Sequence, residues 1–183
     1  EQTKFAKEKQ SIGQFAASLI QPNDTIILDS GTTIAAMAYF IPEHINLNIT
    51  CYNYYTLTQL FPKEGIQLTL AGGLLHKADQ MFESSYANEL IRSRRASKFF
   101  LAASGVHEAL GITCAHNYEV LTKKAAMSSS LSTILVADSS KFGLVRSAFV
   151  TPLTSVDEIV TDSGLSDEWK NIIKDMGIKL HIV

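Results

Sequence analysis

The chain has 183 residues, 46% of them hydrophobic and 19% charged, with a net charge of -2. That length and balance suit one folded domain with a full core. The net charge argues against the basic stripe that a free-standing nucleic-acid binder usually carries.

Cys51 and Cys114 are the only cysteines, and no Cys-x-x-Cys pair exists. Both sit in apolar, strand-like stretches, which fits buried free thiols in a reducing cytoplasm better than a disulfide or zinc site. No apolar run approaches the ~20 residues of a membrane span, and no signal peptide is visible. Residues 1–4 read as linker remnant. A helix is expected over 5–20, from Ile12, Phe15, Ala16 and Leu19 at helical spacing. The Gln21-Pro22-Asn23-Asp24 run stops it.

Short apolar runs then alternate with helical ones. Strands are expected at 25–28, 47–51, 66–71, 98–103, 133–137, 158–161 and 178–183. Helices are expected at 32–40, 54–61, 84–95 and 118–131, with a last one capped by Ser166. Continuous apolar strands separated by helices imply an α/β, Rossmann-like parallel sheet with helices on both faces. The basic run Arg92, Arg94, Arg95 and Lys98 reads as a solvated helix end.

The residues just past the carboxyl ends of the strands are more informative. In open α/β sheets, ligands bind there, where strand order reverses. Asp29-Ser30-Gly31-Thr32-Thr33 joins a strand to a helix. Gly31 permits close backbone approach. The hydroxyls of Ser30, Thr32 and Thr33 lie beside a helix's free amides. Two readings stand: a phosphate cradle, or ordinary helix capping. Neither a P-loop nor a G-x-G-x-x-G fingerprint is present.

Asp138-Ser139-Ser140-Lys141 comes directly after the fifth strand. Lys141 could reach a ligand or lie on a surface loop. Glu119 and Lys123, four apart on one helix face, could hold sugar hydroxyls or form an exposed ion pair. Asn53 could bond a hydroxyl or cap the next helix. Gly72-Gly73 and Ser104-Gly105 could be tight strand exits or points of backbone approach. His107 and His116 flank the expected mouth without a paired metal ligand, so no metal or cofactor is expected.

Together these pieces resemble the sensor domain of the DeoR family of bacterial repressors. The matching stretches are 29–33, Leu-Ala-Gly-Gly (70–73), Ala-Ala-Ser-Gly-Val-His (102–107), Gly-Ile-Thr-Cys (111–114), the Glu119/Lys123 helix, Val-Ala-Asp-Ser-Ser-Lys-Phe-Gly (136–143) and Glu-Ile-Val-Thr-Asp (158–162). The stretch 105–143 is most similar to the deoxyribose branch of the family. The resemblance implies a fold like that of ribose-5-phosphate isomerase and a phosphorylated sugar effector, deoxyribose-5-phosphate for that branch. The family's phosphate motif carries over to Ser30, Gly31, Thr32 and Thr33. Its sugar-side positions carry over to Asp29, Gly105, Glu119 and Lys141, with Asn53, Gly73 and Lys123 beside them. It also implies DNA contact only through a winged helix-turn-helix ahead of Glu1, and a homodimer or homotetramer. The rival expectation is a sugar-phosphate isomerase. The related isomerases carry Asp-Gly-Ala-Asp after the central strand, where this chain has Ser104-Gly105-Val106-His107. Both carboxylates are absent, and Glu119 remains as a lone candidate base.

Overall fold

The computed structural model describes residues 6–183. The linker remnant expected at 1–4, and Phe5 at the start of the first expected helix, lie outside the described residues. The chain opens with α1 (Ala6–Ser18), β1 (Thr25–Leu28), α2 (Thr32–Phe40), β2 (Leu47–Cys51), α3 (Tyr54–Leu60) and β3 (Ile66–Leu70). It continues through β4 (Leu74–His76), β5 (Met81–Glu83), α4 (Ser85–Ser93), β6 (Ala96–Leu101), β7 (Gly105–His107), β8 (Gly111–Cys114) and α5 (Asn117–Ser128). It closes with β9 (Ser130–Val136), β10 (Ala148–Thr151), β11 (Glu158–Thr161), α6 (Asp167–Asp175) and β12 (Lys179–Ile182).

Seven of these strands form one sheet in the order β12-β11-β9-β6-β1-β2-β3. Every pairing in it is parallel. The chain runs outward from β1 to β3, returns to the other side of β1 at β6, and runs outward again. Strand order therefore reverses between β1 and β6, where the connections leave in opposite directions and open a crevice.

Strands β1, β6, β9 and β11 feed two cores. Ile26 and Leu28 of β1 pack with Ile12 and Ala16 of α1, Ile34 and Met37 of α2, and Leu60 of α3. Ile27 points the other way, into a cluster with Ala87 and Ile91 of α4, Ala125 and Ala126 of α5, and Ile173 of α6. This two-sided burial is why the strands read as continuous apolar runs. On the first face α1 lies directly on α2. A Cβ on Gly13 would come within 2.7 Å of the Met37 nitrogen, so glycine sets how closely the helices approach.

Two smaller antiparallel sheets were not expected: the hairpin β4-β5, and the group β10-β8-β7. Their strands of three or four residues are too short to show a period of two. Several boundaries also differ. The helix expected to reach 131 ends at Ser128, and the strand expected from 133 starts at Ser130. The serine run explains this. Ser128 Oγ bonds the Ala125 carbonyl at 3.0 Å and Ser130 Oγ the Ala126 carbonyl at 2.8 Å, which favours ending the helix. The strand expected over 98–103 spans 96–101 instead, because Ala96 pairs with Ser130 and the Ala102 amide turns to a carboxylate. Arg92, Arg94 and Arg95 are exposed at the end of α4, while Lys98 pairs with Asp24 at 2.6 Å. No helix among the described residues is long and apolar enough to cross a membrane.

Candidate functional site

The crevice between β1 and β6 opens into a cleft of about 1090 Å³. Under its floor sits Asp29, wholly buried at the end of β1. Its Oδ1 accepts hydrogen bonds from the Ser30 amide (2.8 Å) and the Tyr52 hydroxyl (2.6 Å). Its Oδ2 accepts from the Ala102 amide (2.8 Å) and Lys123 Nζ (2.5 Å). Two amides, a phenol and an ammonium compensate the buried charge.

Lys123 is 1% exposed. Its ammonium also donates to the Ala102 carbonyl at 3.3 Å and forms an ion pair with Glu119 Oε2 at 3.4 Å. Burial works against its charge, but Asp29 and Glu119 outweigh burial and hold its pKa above the ordinary value. Burial, reinforced by Asp29, likewise pushes the Tyr52 phenol well above its usual range. Glu119 receives the His116 amide at Oε1 (3.0 Å), fixing it at the start of α5. The Glu119–Lys123 pair is therefore buried, and the expectation of an exposed ion pair is corrected: β1 and β6 bring Asp29 and Ala102 up against that face of α5.

Above this triad the wall is the amino end of α2. Gly31 has φ 143°, a conformation that favours glycine, and the helix start has no side-chain cap. Ser30, Gly31, Thr32 and Thr33 line the cleft here. Asn53 orients one of them. Its Oδ1 accepts the Thr56 amide at 3.1 Å, which caps α3. Its Nδ2 donates to the Asp79 carbonyl and to Ser30 Oγ, both at 2.9 Å. The amide orientation is fixed because a carbonyl can only accept and an N–H can only donate. Ser30 Oγ therefore accepts from Asn53.

Lys141 enters from the far wall, on the turn after β9, where Asp138 accepts the Ser140 amide at 3.2 Å. The structure brings together Ser30, Gly31, Thr32, Thr33, Asn53, Glu119, Lys123 and Lys141 around the cleft. Asp29 lies beneath it. Gly73 and Gly105 do not line it, and both serve packing. A Cβ on Gly73 would strike Ser84 Cβ at 2.6 Å, and one on Gly105 the Leu144 carbonyl at 2.6 Å. His116 lines the cleft, whereas His107 receives the amides of its own turn. Sequence reasoning missed Tyr52, Asp79 and Lys9. Tyr52 reads as core aromatic, Asp79 as a turn residue, and Lys9 as a helix-surface lysine, although it is buried and lines the cleft.

The chain resembles the deoxyribose operon repressor of Escherichia coli (strain K12), with 31% identity over 98% of this chain and 71% of that protein. It is 29% identical to the HTH-type transcriptional repressor GlcR of Bacillus subtilis (strain 168), over 96% of this chain and 67% of GlcR. In structure it resembles ribose 5-phosphate isomerase A from Methanocaldococcus jannaschii, with a TM-score of 0.56 and 13% identity. That match covers 76% of this chain and only 55% of the isomerase. Translation initiation factor eIF-2B from Pyrococcus horikoshii OT3 matches with a TM-score of 0.54 and 16% identity, over 85% of this chain and 62% of that one. At such identities the likeness is one of fold, the α/β fold of ribose-5-phosphate isomerase A. The profile of the DeoR C-terminal sensor domain matches residues 4–163. With that match over most of its length and transcriptional repressors among its relatives, the chain belongs to the DeoR C-terminal sensor domain family.

Proposed function

We propose that this chain is the effector-sensing part of a bacterial transcriptional repressor and takes a phosphorylated sugar in the switch-point cleft. The observation that carries the reading is the uncapped amino end of α2 on the cleft wall, with Ser30 Oγ accepting from Asn53. Amides at a helix start, hydroxyls and a glycine that keeps the backbone open suit a phosphate. The sugar then lies over Glu119, whose carboxylate accepts hydrogen bonds from its hydroxyls, and toward Lys141.

Deoxyribose-5-phosphate is the first ligand to test, since the chain's resemblance to the deoxyribose operon repressor spans nearly its whole length. Titration calorimetry should find it bound at least ~100-fold more tightly than free deoxyribose, because charge-assisted hydrogen bonds are the strong ones. Equal affinities would overturn the reading. Operator contact belongs to a winged helix-turn-helix joined ahead of this domain, in a cytoplasmic protein.

An isomerase on the same fold is the second reading, favoured by one observation: Glu119 is a buried carboxylate on the cleft wall. Proton abstraction needs a carboxylate free to take a proton. Here both Glu119 oxygens are held, by the His116 amide and by Lys123. Ribose-5-phosphate incubated with the chain should yield no ribulose-5-phosphate above the buffer control.

A further inference from the structure

Beyond Lys141 the cleft continues into a second chamber of about 330 Å³, lined by Ser104, Ala115, Lys141, Arg146 and Ser147. Ser104, Ala115 and Lys141 also line the main cleft, so the two spaces are contiguous. The second chamber has two cations and two hydroxyls on its wall and no carboxylate. Neither cation has a carboxylate within 4 Å among the described residues, in contrast to Lys123, which has two.

The loop that carries both cations is pinned. The Gly143 amide bonds the Val106 carbonyl at 2.8 Å, the Arg146 amide bonds Thr113 Oγ1 at 2.9 Å, and Phe142 is buried against Trp169. Two uncompensated positive charges held on a fixed loop repel each other, and an anion between them relieves this. An arginine, with its planar fork of donors, favours phosphate or carboxylate over a neutral hydroxyl.

We propose that this chamber is a second anion subsite, and that the effector is a phosphosugar carrying another anionic group at the end away from its first phosphate. The class comprises sugar bisphosphates and phosphosugar acids. The inference rests on the phosphosugar reading above and narrows it: the first phosphate sits at α2, the uncharged hydroxyls span Glu119, and the second anion lies between Lys141 and Arg146.

Titration of the whole chain at fixed ionic strength tests this with matched pairs. These are ribose-5-phosphate against ribose-1,5-bisphosphate, fructose-6-phosphate against fructose-1,6-bisphosphate, and glucose-6-phosphate against 6-phosphogluconate. The doubly anionic member of at least one pair should bind about tenfold or more tighter, one charge-assisted hydrogen bond's worth. A gain confined to the last pair identifies a carboxylate, and one confined to the first two a phosphate. Arg146→Ala, at an exposed side chain, should remove that gain and leave the monophosphate within about twofold, while Arg146→Lys retains part of it. Monophosphate binding with no gain in any pair overturns the second subsite alone. So does an Arg146→Ala variant that weakens both members of a pair equally. If no phosphosugar binds, the phosphosugar reading and this inference fall together.

Discussion

Asp29 shows how a single residue can be both a sequence landmark and a structural hub. Its four donors leave it little capacity for a ligand, so its part is to hold Lys123 and Tyr52 under the cleft floor. Removing one partner of a buried pair costs about 3–5 kcal/mol, since the remaining charge is uncompensated. Lys123→Met should therefore lower unfolding stability by that amount in urea titration. Both Lys123 and Tyr52 have pKa values raised above their usual 10.5 and 10.0. A raised value means the folded chain holds the proton more tightly than the unfolded one. The associated stability is fully present below about pH 10 and is lost as pH rises further. The urea midpoint should begin to fall near pH 9, where the buried thiols of Cys51 and Cys114 hold protons that the unfolded chain releases, and fall further above pH 10, with a shallower fall there in Tyr52→Phe. A midpoint indifferent to pH 11 would refute this. Asp29 and Lys123 stand out in the sequence, but Tyr52 does not, because a phenol among apolar strand residues looks the same whether it packs or bonds.

At the scale of the element, the amino end of α2 is the feature most open to a sharp substitution. Gly31 occupies a backbone region that side chains rarely enter, and a Cβ there would sit 3.2 Å from the Ala102 methyl. Gly31→Val should cost roughly 1–3 kcal/mol in backbone strain and abolish phosphosugar binding, both measurable on one sample by melting with and without ligand. A variant that binds normally would show that the ligand does not approach α2. The β1–α2 junction was legible because Asp-Ser-Gly-Thr-Thr has both the turn chemistry and the hydroxyls. The parallel strands were legible from their apolar runs. The β4-β5 hairpin was not, although it supplies Asp79 and Gln80 to the cleft, because its strands show no period and Gly72-Gly73 reads equally as a plain exit. The buried state of Glu119 and Lys123 was likewise hidden. Spacing puts them on one face of α5, but only the sheet order decides what that face meets.

For the whole molecule, the cleft lies at the one place where a sheet of order β12-β11-β9-β6-β1-β2-β3 changes direction. Sequence alone yields the alternation but not the order, which depends on contacts between residues far apart in the chain. Repressors commonly span repeated half-sites as symmetric assemblies, and the proposed function places that contact in the sensor. Light scattering should find a dimer or tetramer. With a net charge of -2, there is little counterion release to drive DNA binding, and a gel assay with these residues alone should show no operator shift. Fused to a winged helix-turn-helix, the same residues should make operator binding respond to the effector, provided the ligand favours one of two arrangements of the assembly. A strictly monomeric chain at high concentration would refute this division of labour.

The chain of bonds from Asp79 and Thr56 through Asn53 to Ser30 contains only carbonyl, amide and hydroxyl groups. None of these gains or loses a proton in the range where proteins stay folded. The bond that Ser30 Oγ accepts from Asn53 thus does not depend on titration, and the amides of α2 are equally indifferent to pH. A phosphate monoester, by contrast, changes from one negative charge to two near pH 6. If the effector is a phosphosugar, acidification through that point alters the ligand while this part of the cleft keeps its donors unchanged.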